Sequence, residues 1–230
     1  MSDEQDVKGR LFDQWPEKYD RWFETPIGAL VKKYENELLV DLLQPRPDEV
    51  ILDVGCGTGV FTANILGFGT RVTGLDISYP MLIKAELKAK GYPFRAVAAD
   101  MRFLPFSDEC FDSVVSMTAI EFIADGQAAV EDMFRVTKKG GGLVVTTLNS
   151  LSPWAVRRKK KADTGHSLFE KMIFRSPDDL LALAPVDGTV KTAIHFLKDD
   201  DPQKAPEIES EGKKRGLDTG AFVAARWKKP

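Results

Sequence analysis

Short apolar runs alternate along this chain with longer stretches in which apolar positions recur every three to four residues. The apolar runs predict strands near residues 49–54, 71–76, 94–98, 112–117 and 142–148. The helical spacing predicts helices near 59–68, 79–90 and 125–137, and Lys138 to Gly142 predicts the end of the last of these with a glycine cap. Strands that alternate with helices are typical of a parallel sheet covered on both faces.

The segments on either side extend this pattern. Thr25-Pro26 predicts the start of a helix that runs to Pro45, and the aromatic segment Trp15–Phe23 precedes it. After the fifth strand, residues 188–197 and 220–227 alternate between apolar and polar positions. They predict two antiparallel strands that end the sheet.

The first strand runs directly into the turn Gly55-Cys-Gly-Thr-Gly59, which is the strongest chemical signal in the chain. Glycine is needed where φ is positive or where a side chain would keep the backbone away from a bound molecule. A dinucleotide-binding turn spaces its glycines as G-x-G-x-x-G, whereas here the third glycine comes one residue early and is followed by Val60. The turn therefore predicts a cofactor site that does not bind a diphosphate.

Acidic residues end the next two predicted strands. Asp76 lies 17 residues after Gly59, where a carboxylate can accept hydrogen bonds from both hydroxyls of a ribose. Asp100, followed by Met101, ends the third strand, and the segment Leu104-Pro-Phe-Ser-Asp-Glu-Cys-Phe-Asp112 introduces the fourth.

These four segments, in this order, resemble the motifs of class I S-adenosylmethionine (SAM) methyltransferases. The segment Leu104–Asp112 is similar to the type-11 methyltransferase family, which includes quinone-biosynthesis methyltransferases. The resemblance covers about residues 47–148. It implies an α/β, Rossmann-like, seven-stranded and mostly parallel sheet of order 3-2-1-4-5-7-6, with helices on both faces and a C-terminal antiparallel strand pair. SAM is the implied cofactor and S-adenosylhomocysteine (SAH) the product.

The resemblance also implies one domain, 1–230, in four parts. These are an N-terminal lid and helix at 1–46, the SAM-binding core at 47–148, a substrate-side insertion at 149–187 and the strand pair at 188–230. Within the core, Asp53 organises the methionine end, Met81 covers the adenine and Asp100 meets the adenine amine. The expected cofactor-binding residues are Asp53, Gly55, Cys56, Gly57, Gly59, Asp76, Ile77, Met81, Asp100, Met101, Thr118 and Ala119.

Two segments outside the core are expected to select the acceptor, because loops at the carboxyl ends of strands form the pocket of such a sheet. Trp15–Phe23 is either a packed helix or a lid, and the resemblance favours Tyr19 as a lid residue over the methionine end. The basic run Arg157–Lys161 is either a solvated helix face or a contact for an acidic substrate, a phosphorylated metabolite or RNA. The expected substrate-side residues, which are alternatively part of the core, are Trp22, Phe122, Asn149 and Trp154.

The methyl group of SAM is already activated, so the protein needs to hold an acceptor in line with it and to exclude water. Neither a metal nor a protein nucleophile is required. Glu121, just beyond the fourth strand, and His166 are the candidate general bases or amine-positioning groups. The alternative for Glu121 is a helix-start or surface carboxylate. Cys56 and Cys110 lack metal-ligand spacing, and no metal site is expected.

Composition narrows the class of function. A chain of 230 residues that is 43% hydrophobic fits one soluble domain, and a net charge of −3 argues against a general polyanion-binding protein. Residues 1–10 are polar, so we expect no secretory signal, no membrane span and a cytoplasmic location.

The leading hypothesis is in-line methyl transfer from SAM to a small-molecule acceptor by a monomer or homodimer. Binding of nucleic acid is not favoured, because no Asn-Pro-Pro-Tyr loop of the kind that grips a flipped base follows the fourth strand. The alternatives are a non-catalytic SAM-binding protein and an RNA or protein methyltransferase that uses the run 157–161.

Overall fold

A computed structural model describes residues 12–162 and 170–230 of the chain. Its seven strands are β1 (Val50–Val54), β2 (Arg71–Asp76), β3 (Phe94–Ala98), β4 (Phe111–Ser116), β5 (Thr137–Leu148), β6 (Gly188–Ala193) and β7 (Phe222–Lys228). They form one sheet of order β3-β2-β1-β4-β5-β7-β6. Strands β1 to β5 pair in parallel, whereas β7 is antiparallel to both β5 and β6. The predicted fold class and strand order are confirmed.

Eight α-helices are described around the sheet. They are α1 (Pro16–Glu24), α2 (Pro26–Leu43), α3 (Thr62–Leu66), α4 (Tyr79–Lys88), α5 (Gly126–Val136), α6 (Pro153–Ala162), α7 (Pro177–Leu181) and α8 (Ala205–Lys214), with a 3-10 turn at Ile120–Phe122. Among the residues that the structure describes, no helix is both long enough and apolar enough to cross a membrane.

Side-chain caps set where several helices begin. The Thr25 hydroxyl accepts a hydrogen bond of 3.0 Å from the Gly28 amide at the start of α2, as the Thr-Pro pair predicts. The Asp125 carboxylate accepts one of 3.0 Å from the Ala128 amide at the start of α5. Ser176 and Asp179 form a reciprocal capping box at α7. These caps orient the segments that follow β4 and β5, which contribute to the site described below.

The sheet separates two apolar layers, and successive residues of each strand face opposite layers. Ile51 of β1 packs with Leu39 of α2 and Ile65 of α3, whereas its neighbour Leu52 packs with Met133 of α5. All five side chains are fully buried. Because both faces of the central strands are covered in this way, a ligand can reach the sheet only at its edges or at the ends of its strands.

The structure corrects the predicted helix stop at Lys138–Gly142. Strand β5 begins at Thr137, directly after α5, and its pairing with β4 shifts register between Phe111 and Ser113. Gly140 takes a φ of 74° within this irregularity and donates its amide to the Lys229 carbonyl at 2.9 Å. The glycines therefore serve a strand bulge rather than a helix cap.

The structure also shortens the strand predicted at 188–197. Strand β6 ends at Ala193, and Ile194 takes a φ of 68°, which takes it out of the extended conformation. The next amide, that of His195, donates to the Glu209 carboxylate of α8 at 2.7 Å instead of to a strand. The alternating pattern could not reveal this ending, because it depends on a helix that follows later in the chain.

Gly59 is a position in the turn after β1 where a side chain should lower stability. Its φ is 75°, and an added Cβ would lie 2.9 Å from the Ala85 Cα of α4. We expect Gly59→Ala to lower the free energy of unfolding by about 3 kcal/mol, from backbone strain together with the clash. Gly91→Ala is the control, because Gly91 has a φ of 91° and open space around it. It should cost about 1 kcal/mol from strain alone. Equal losses for the two variants in urea denaturation would contradict this account.

Candidate functional site

A cavity of about 820 Å³ lies at the carboxyl ends of the parallel strands. The strand order explains its lining, because the residues that follow β1 to β6 and the residues that begin the antiparallel β7 all meet at this edge. The lining residues contributed directly at strand ends include Gly55, Asp76, Asp100, Met117, Leu148, Ile194 and Phe222.

Each glycine of the turn after β1 serves a different purpose. The Gly55 amide donates to the Leu75 carbonyl of β2 at 2.7 Å, and a Cβ on Gly55 would lie 2.4 Å from the Cβ of Ala119. Gly57 lines the cavity with a φ of 54°, and a Cβ there would meet nothing within 4 Å. Gly59 packs against α4 and is not among the described lining residues, so its expected cofactor contact is corrected to a packing role.

Asp76 connects this turn to the end of β2. One carboxylate oxygen accepts from the Gly57 amide at 2.8 Å and the other from the Ser78 amide at 2.8 Å. Burial raises the pKa of the Asp76 carboxyl above its ordinary value, although these bonds oppose the shift. The carboxylate therefore lines the cavity in a fixed orientation.

Asp53 presents an unsatisfied acceptor at the same place. It is only 1% exposed, and its Oδ2 accepts from the Thr62 hydroxyl at 2.6 Å. Its Oδ1 is buried and has no hydrogen-bond partner among residues 12–162 and 170–230. Burial raises the pKa of Asp53 to about 7. A buried oxygen without a donor fits a ligand that brings one, since such groups are rarely left unpaired.

The remaining residues that we expected to bind the cofactor also line the cavity. Asp100 lines it while its carboxylate also pairs with the Arg102 guanidinium at 2.6 Å. Cys56, Ile77, Met81, Met101, Thr118 and Ala119 line it as well. Thr118 has a φ of 45°, which is costly for a β-branched residue and is typical of functional sites.

Residues of helix α1 line the cavity. Acids of α1, and Asp13 just before it, link this segment at helical intervals to the glycine turn, to α4 and to the N-cap residue of α4. The links are Asp13 to Ser78 (2.7 Å), Glu17 to Lys84 (3.0 Å), and Asp20 to Lys88 (2.6 Å) and Thr58 (2.6 Å). Tyr19, on another side of the helix, lines the cavity together with Thr118. Burial raises the pKa of its phenol well above the ordinary value, so the phenol is uncharged.

Three ionisable groups of the cavity lie close enough to influence one another: the buried Glu121 and Glu35 and the half-buried Arg158. Glu121 is 1% exposed and accepts from the Thr147 hydroxyl at 3.3 Å, and Glu35 is 7% exposed. Burial raises the pKa of Glu121 to about 7 and that of Glu35 to about 8, while the charge of Arg158 opposes both shifts. Burial lowers the pKa of Arg158 to about 10. The expectation of a surface carboxylate at Glu121 is thereby excluded.

The sequence-based prediction did not include Glu35, and it included Arg158 only as a member of the basic run Arg157–Lys161. A pattern in the sequence nevertheless points to each of them. Glu35 lies four residues after Val31 and four before Leu39, so it interrupts the buried stripe of α2 with a carboxylate. Arg158 lies four residues after the buried Trp154 on α6 and therefore shares its side of the helix. A charge at a helical interval from core residues is the pattern that would have identified them.

The other expected site residues are placed as follows. Trp22, Phe122 and Trp154 line the cavity. Asn149 is corrected, because it is fully buried outside the described lining and its amide donates to the carbonyls of Asp218 (2.6 Å) and Gly220 (2.7 Å). His166 lies outside the described residues.

The buried Glu35 should make stability depend on pH. Its raised pKa means that the folded protein keeps a proton that the unfolded chain releases, so this contribution to stability falls as pH rises from about 4.5 towards 8. Between about pH 5 and pH 8, we expect the free energy of unfolding of Glu35→Gln to fall by about 2–3 kcal/mol less than that of the wild type. Chemical denaturation across this range measures it.

Glu37→Gln is the matched control, because Glu37 lies on the same helix with an exposed side chain. It should keep the wild-type pH profile. If the profiles of the two variants coincide, Glu35 is not held protonated by burial.

Comparison with known proteins agrees with this geometry. Residues 52–145 match the model of a methyltransferase domain. A demethylmenaquinone methyltransferase of Beutenbergia cavernae is 33% identical over 153 residues, which cover 66% of this chain and 62% of that protein. A malonyl-[acyl-carrier protein] O-methyltransferase of Pseudescherichia vulneris is 34% identical over 53% of this chain and 48% of its own length. The chain thus spans about half to three fifths of the length of these curated relatives.

A solved structure shares the fold over nearly the whole chain. It is a SAM-dependent methyltransferase, possibly a histamine N-methyltransferase, from Thermotoga maritima, with a TM-score of 0.72 and 22% identity. The two chains are covered to 96% and 99% respectively. The fold and the family match agree with the sequence-based expectation. Over residues 52–145 the chain therefore resembles a methyltransferase domain, and S-adenosylmethionine is the cofactor that this similarity implies.

Proposed function

We propose that this chain transfers the methyl group of SAM to a small-molecule acceptor. The observation that carries the proposal is the open face of Gly57, which lines the cavity between two buried carboxylates, Asp53 and Asp76. A ligand that lies against backbone and brings hydroxyl and ammonium donors fits these residues. A nucleoside linked to an amino acid has that combination of groups.

The residues divide between the two ends of such a cofactor. Asp76 would accept the ribose hydroxyls, Met81 and Met101 would cover the adenine, and Asp53 would organise the amino-acid end through the glycine turn. When bound, SAM supplies a methyl group on a positively charged sulfur. The protein then has to orient the acceptor and exclude water, which is consistent with a site enclosed largely by apolar side chains.

Helix α1 would act as the lid of this site. Its acids are attached to α4 and to the glycine turn, and its aromatic residues Tyr19 and Trp22 face the cavity. Tyr19 lines the same cavity as Thr118 of the loop after β4. We therefore assign Tyr19 to closure of the lid over the cofactor. Its uncharged phenol can donate a hydrogen bond, and the side chain would help to exclude water from the site.

Glu121 would take up or hold the acceptor's proton. A carboxyl with a pKa of about 7 exchanges a proton readily near neutral pH, which suits a general base. Glu121 lines the cavity and the charge of Arg158 influences its pKa, and on this ground we assign it to the acceptor side of the site.

A small molecule is favoured over a macromolecular acceptor. The cavity volume of about 820 Å³ is in the range of sites for small ligands. Of the basic run, Arg157, Arg158 and Lys161 line this cavity, so the run does not form one outward face for RNA. The named relatives differ in their acceptors, a menaquinone precursor in one and a carrier-bound malonyl group in the other, so the family does not determine the acceptor here.

Gly57 provides the sharpest test of the cofactor's position. A side chain there would enter the open space of the cavity, so Gly57→Val should weaken SAH binding by about 100-fold, or about 2.7 kcal/mol. Gly216→Val is the control, because Gly216 has a similar φ of 62° with nothing within 4 Å of an added Cβ. Calorimetric titration of both variants with SAH compares them. Equal affinities would mean that no ligand lies against Gly57.

The proposed function is tested first by titrating the protein with SAM and SAH, with ATP and NAD as controls. We expect binding of SAM and SAH alone. Asp76→Ala should weaken that binding by about 2–3 kcal/mol through loss of the ribose acceptor, whereas Asp187→Ala, an exposed residue outside the cavity lining, should not. An acceptor screen on the same sample then separates an enzyme from a non-catalytic SAM-binding protein. Failure of the folded protein to bind SAM or SAH would overturn the proposal.

A further inference from the structure

We propose that the acceptor substrate is an amphiphilic anion, and that Arg158 binds its carboxylate or phosphate group. The inference rests on the proposed function and adds the acceptor's chemical class. It assigns Arg158 as the residue that determines specificity, on the side of the cavity formed by α6 and the segment after β6.

The first observation is an unsatisfied donor. Arg158 Nη1 is excluded from solvent and has no hydrogen-bond partner among residues 12–162 and 170–230. Its guanidinium lies beside the Trp154 indole, with Cζ 5.2 Å from the ring centroid, and both residues line the cavity. A buried guanidinium N–H without an acceptor is rare in folded proteins, and its planar fork matches a carboxylate or phosphate.

The second observation is a concentration of positive charge around Arg158. Arg157 and Lys161 of α6 and Lys198 after β6 line the same cavity. Burial lowers the pKa of Lys198, and repulsion from Lys161, Arg157 and Arg158 lowers it further. Arg157 is paired with Asp199, and the Lys198 ammonium lies 5.0 Å from the centroid of the Trp22 indole. Like charges gathered at a cavity repel one another, and a bound anion would relieve that repulsion.

Glu35 and Glu121 are the acids that could neutralise Arg158 instead. They attract it electrostatically, but neither accepts a hydrogen bond from Nη1. Burial raises the pKa of Glu35 to about 8 and that of Glu121 to about 7, so near neutral pH each spends a large part of the time protonated. A protonated carboxyl donates a hydrogen bond to an anionic oxygen. The acids therefore do not remove the positive character of this part of the site.

The walls around these charges are apolar. Trp22, Phe23, Phe61, Trp154 and Phe222 line the cavity. They suit an aromatic or acyl body that carries the anion at one end. An acceptor bound in this way would have its position along the cavity set by the salt bridge and its orientation set by the aromatic side chains.

The test uses four probes with the same body and different head groups: phenylbutyrate, phenylbutyl phosphate, phenylbutanol and phenylbutylamine. Binding is followed by the fluorescence of Trp22 and Trp154, which line the cavity, with and without saturating SAH. We expect at least one anion to bind about tenfold or more tightly than the alcohol and the amine. The comparison of butyrate with phosphate distinguishes the two possible anions.

Arg158→Met should abolish this preference, and Lys198→Met should reduce it. Lys160→Met is the matched control, because Lys160 lies two residues further along α6, is exposed and is not among the described lining residues. It should keep the wild-type preference. If Arg158→Met fails to fold by circular dichroism, the wild-type probe series and Lys198→Met decide the question.

The inference is overturned if the alcohol or the amine binds the wild type as tightly as the anions, or if the preference survives in a folded Arg158→Met. Tight binding of the amine would show instead that Glu35 and Glu121 are ionised and select a cation. Titration with SAH is independent of these probes. A protein that binds SAH without anion preference refutes this inference alone, and one that does not bind SAH refutes the proposed function.

Discussion

The site depends on the hydrogen bonds by which the Asp76 carboxylate joins the glycine turn to the end of β2. The amides of Gly57 and Ser78 both donate to it at 2.8 Å, and the Gly55 amide donates to the neighbouring Leu75 carbonyl. These bonds hold the turn after β1 against β2 in a conformation with positive φ. The cavity edge, the orientation of Asp76 and the open face at Gly57 all follow from this arrangement. Glycines occupy the positions of positive φ in the turn, so this conformation carries no steric strain.

A second constraint is the burial of ionisable groups around the same cavity. Asp53, Glu35 and Glu121 are nearly excluded from water, and burial raises the pKa of each towards neutrality. Arg158 is placed near two of them with one nitrogen unpaired. Buried charges that lack full partners reduce stability, so a fold that keeps several in one cavity is organised around binding rather than around stability. In the proposed function, the cofactor would lie at the end that carries the acids of the strand ends, and the acceptor at the end that carries the basic side chains of α6.

Helix α1 makes contacts at both of these ends of the cavity. Its acids are attached to α4 and the glycine turn, beside the expected cofactor position, while Trp22 on the same helix stacks beneath Lys198 on the acceptor side. Closure of α1 would therefore change side-chain contacts at both ends of the cavity. The links are ion pairs with partly exposed side chains, which are individually weak and are screened by salt. A lid held by several weak contacts can open for exchange of the cofactor.

The sequence by itself predicted the alternation of strands and helices and the glycine turn after β1, because hydrophobic periodicity and turn chemistry are local properties. Its resemblance to a known family implied the sheet order, which the structure confirms. The sequence did not reveal that Gly59 packs on Ala85, that Asn149 holds the carbonyls of Asp218 and Gly220, or that β5 begins with a bulge. Each of these depends on residues brought together from distant parts of the chain. The same holds for Glu35 and Arg158, since their protonation and their unpaired atoms are set by burial. Only the tertiary structure decides which charges lose contact with water, and burial is what gives those charges a role in the site.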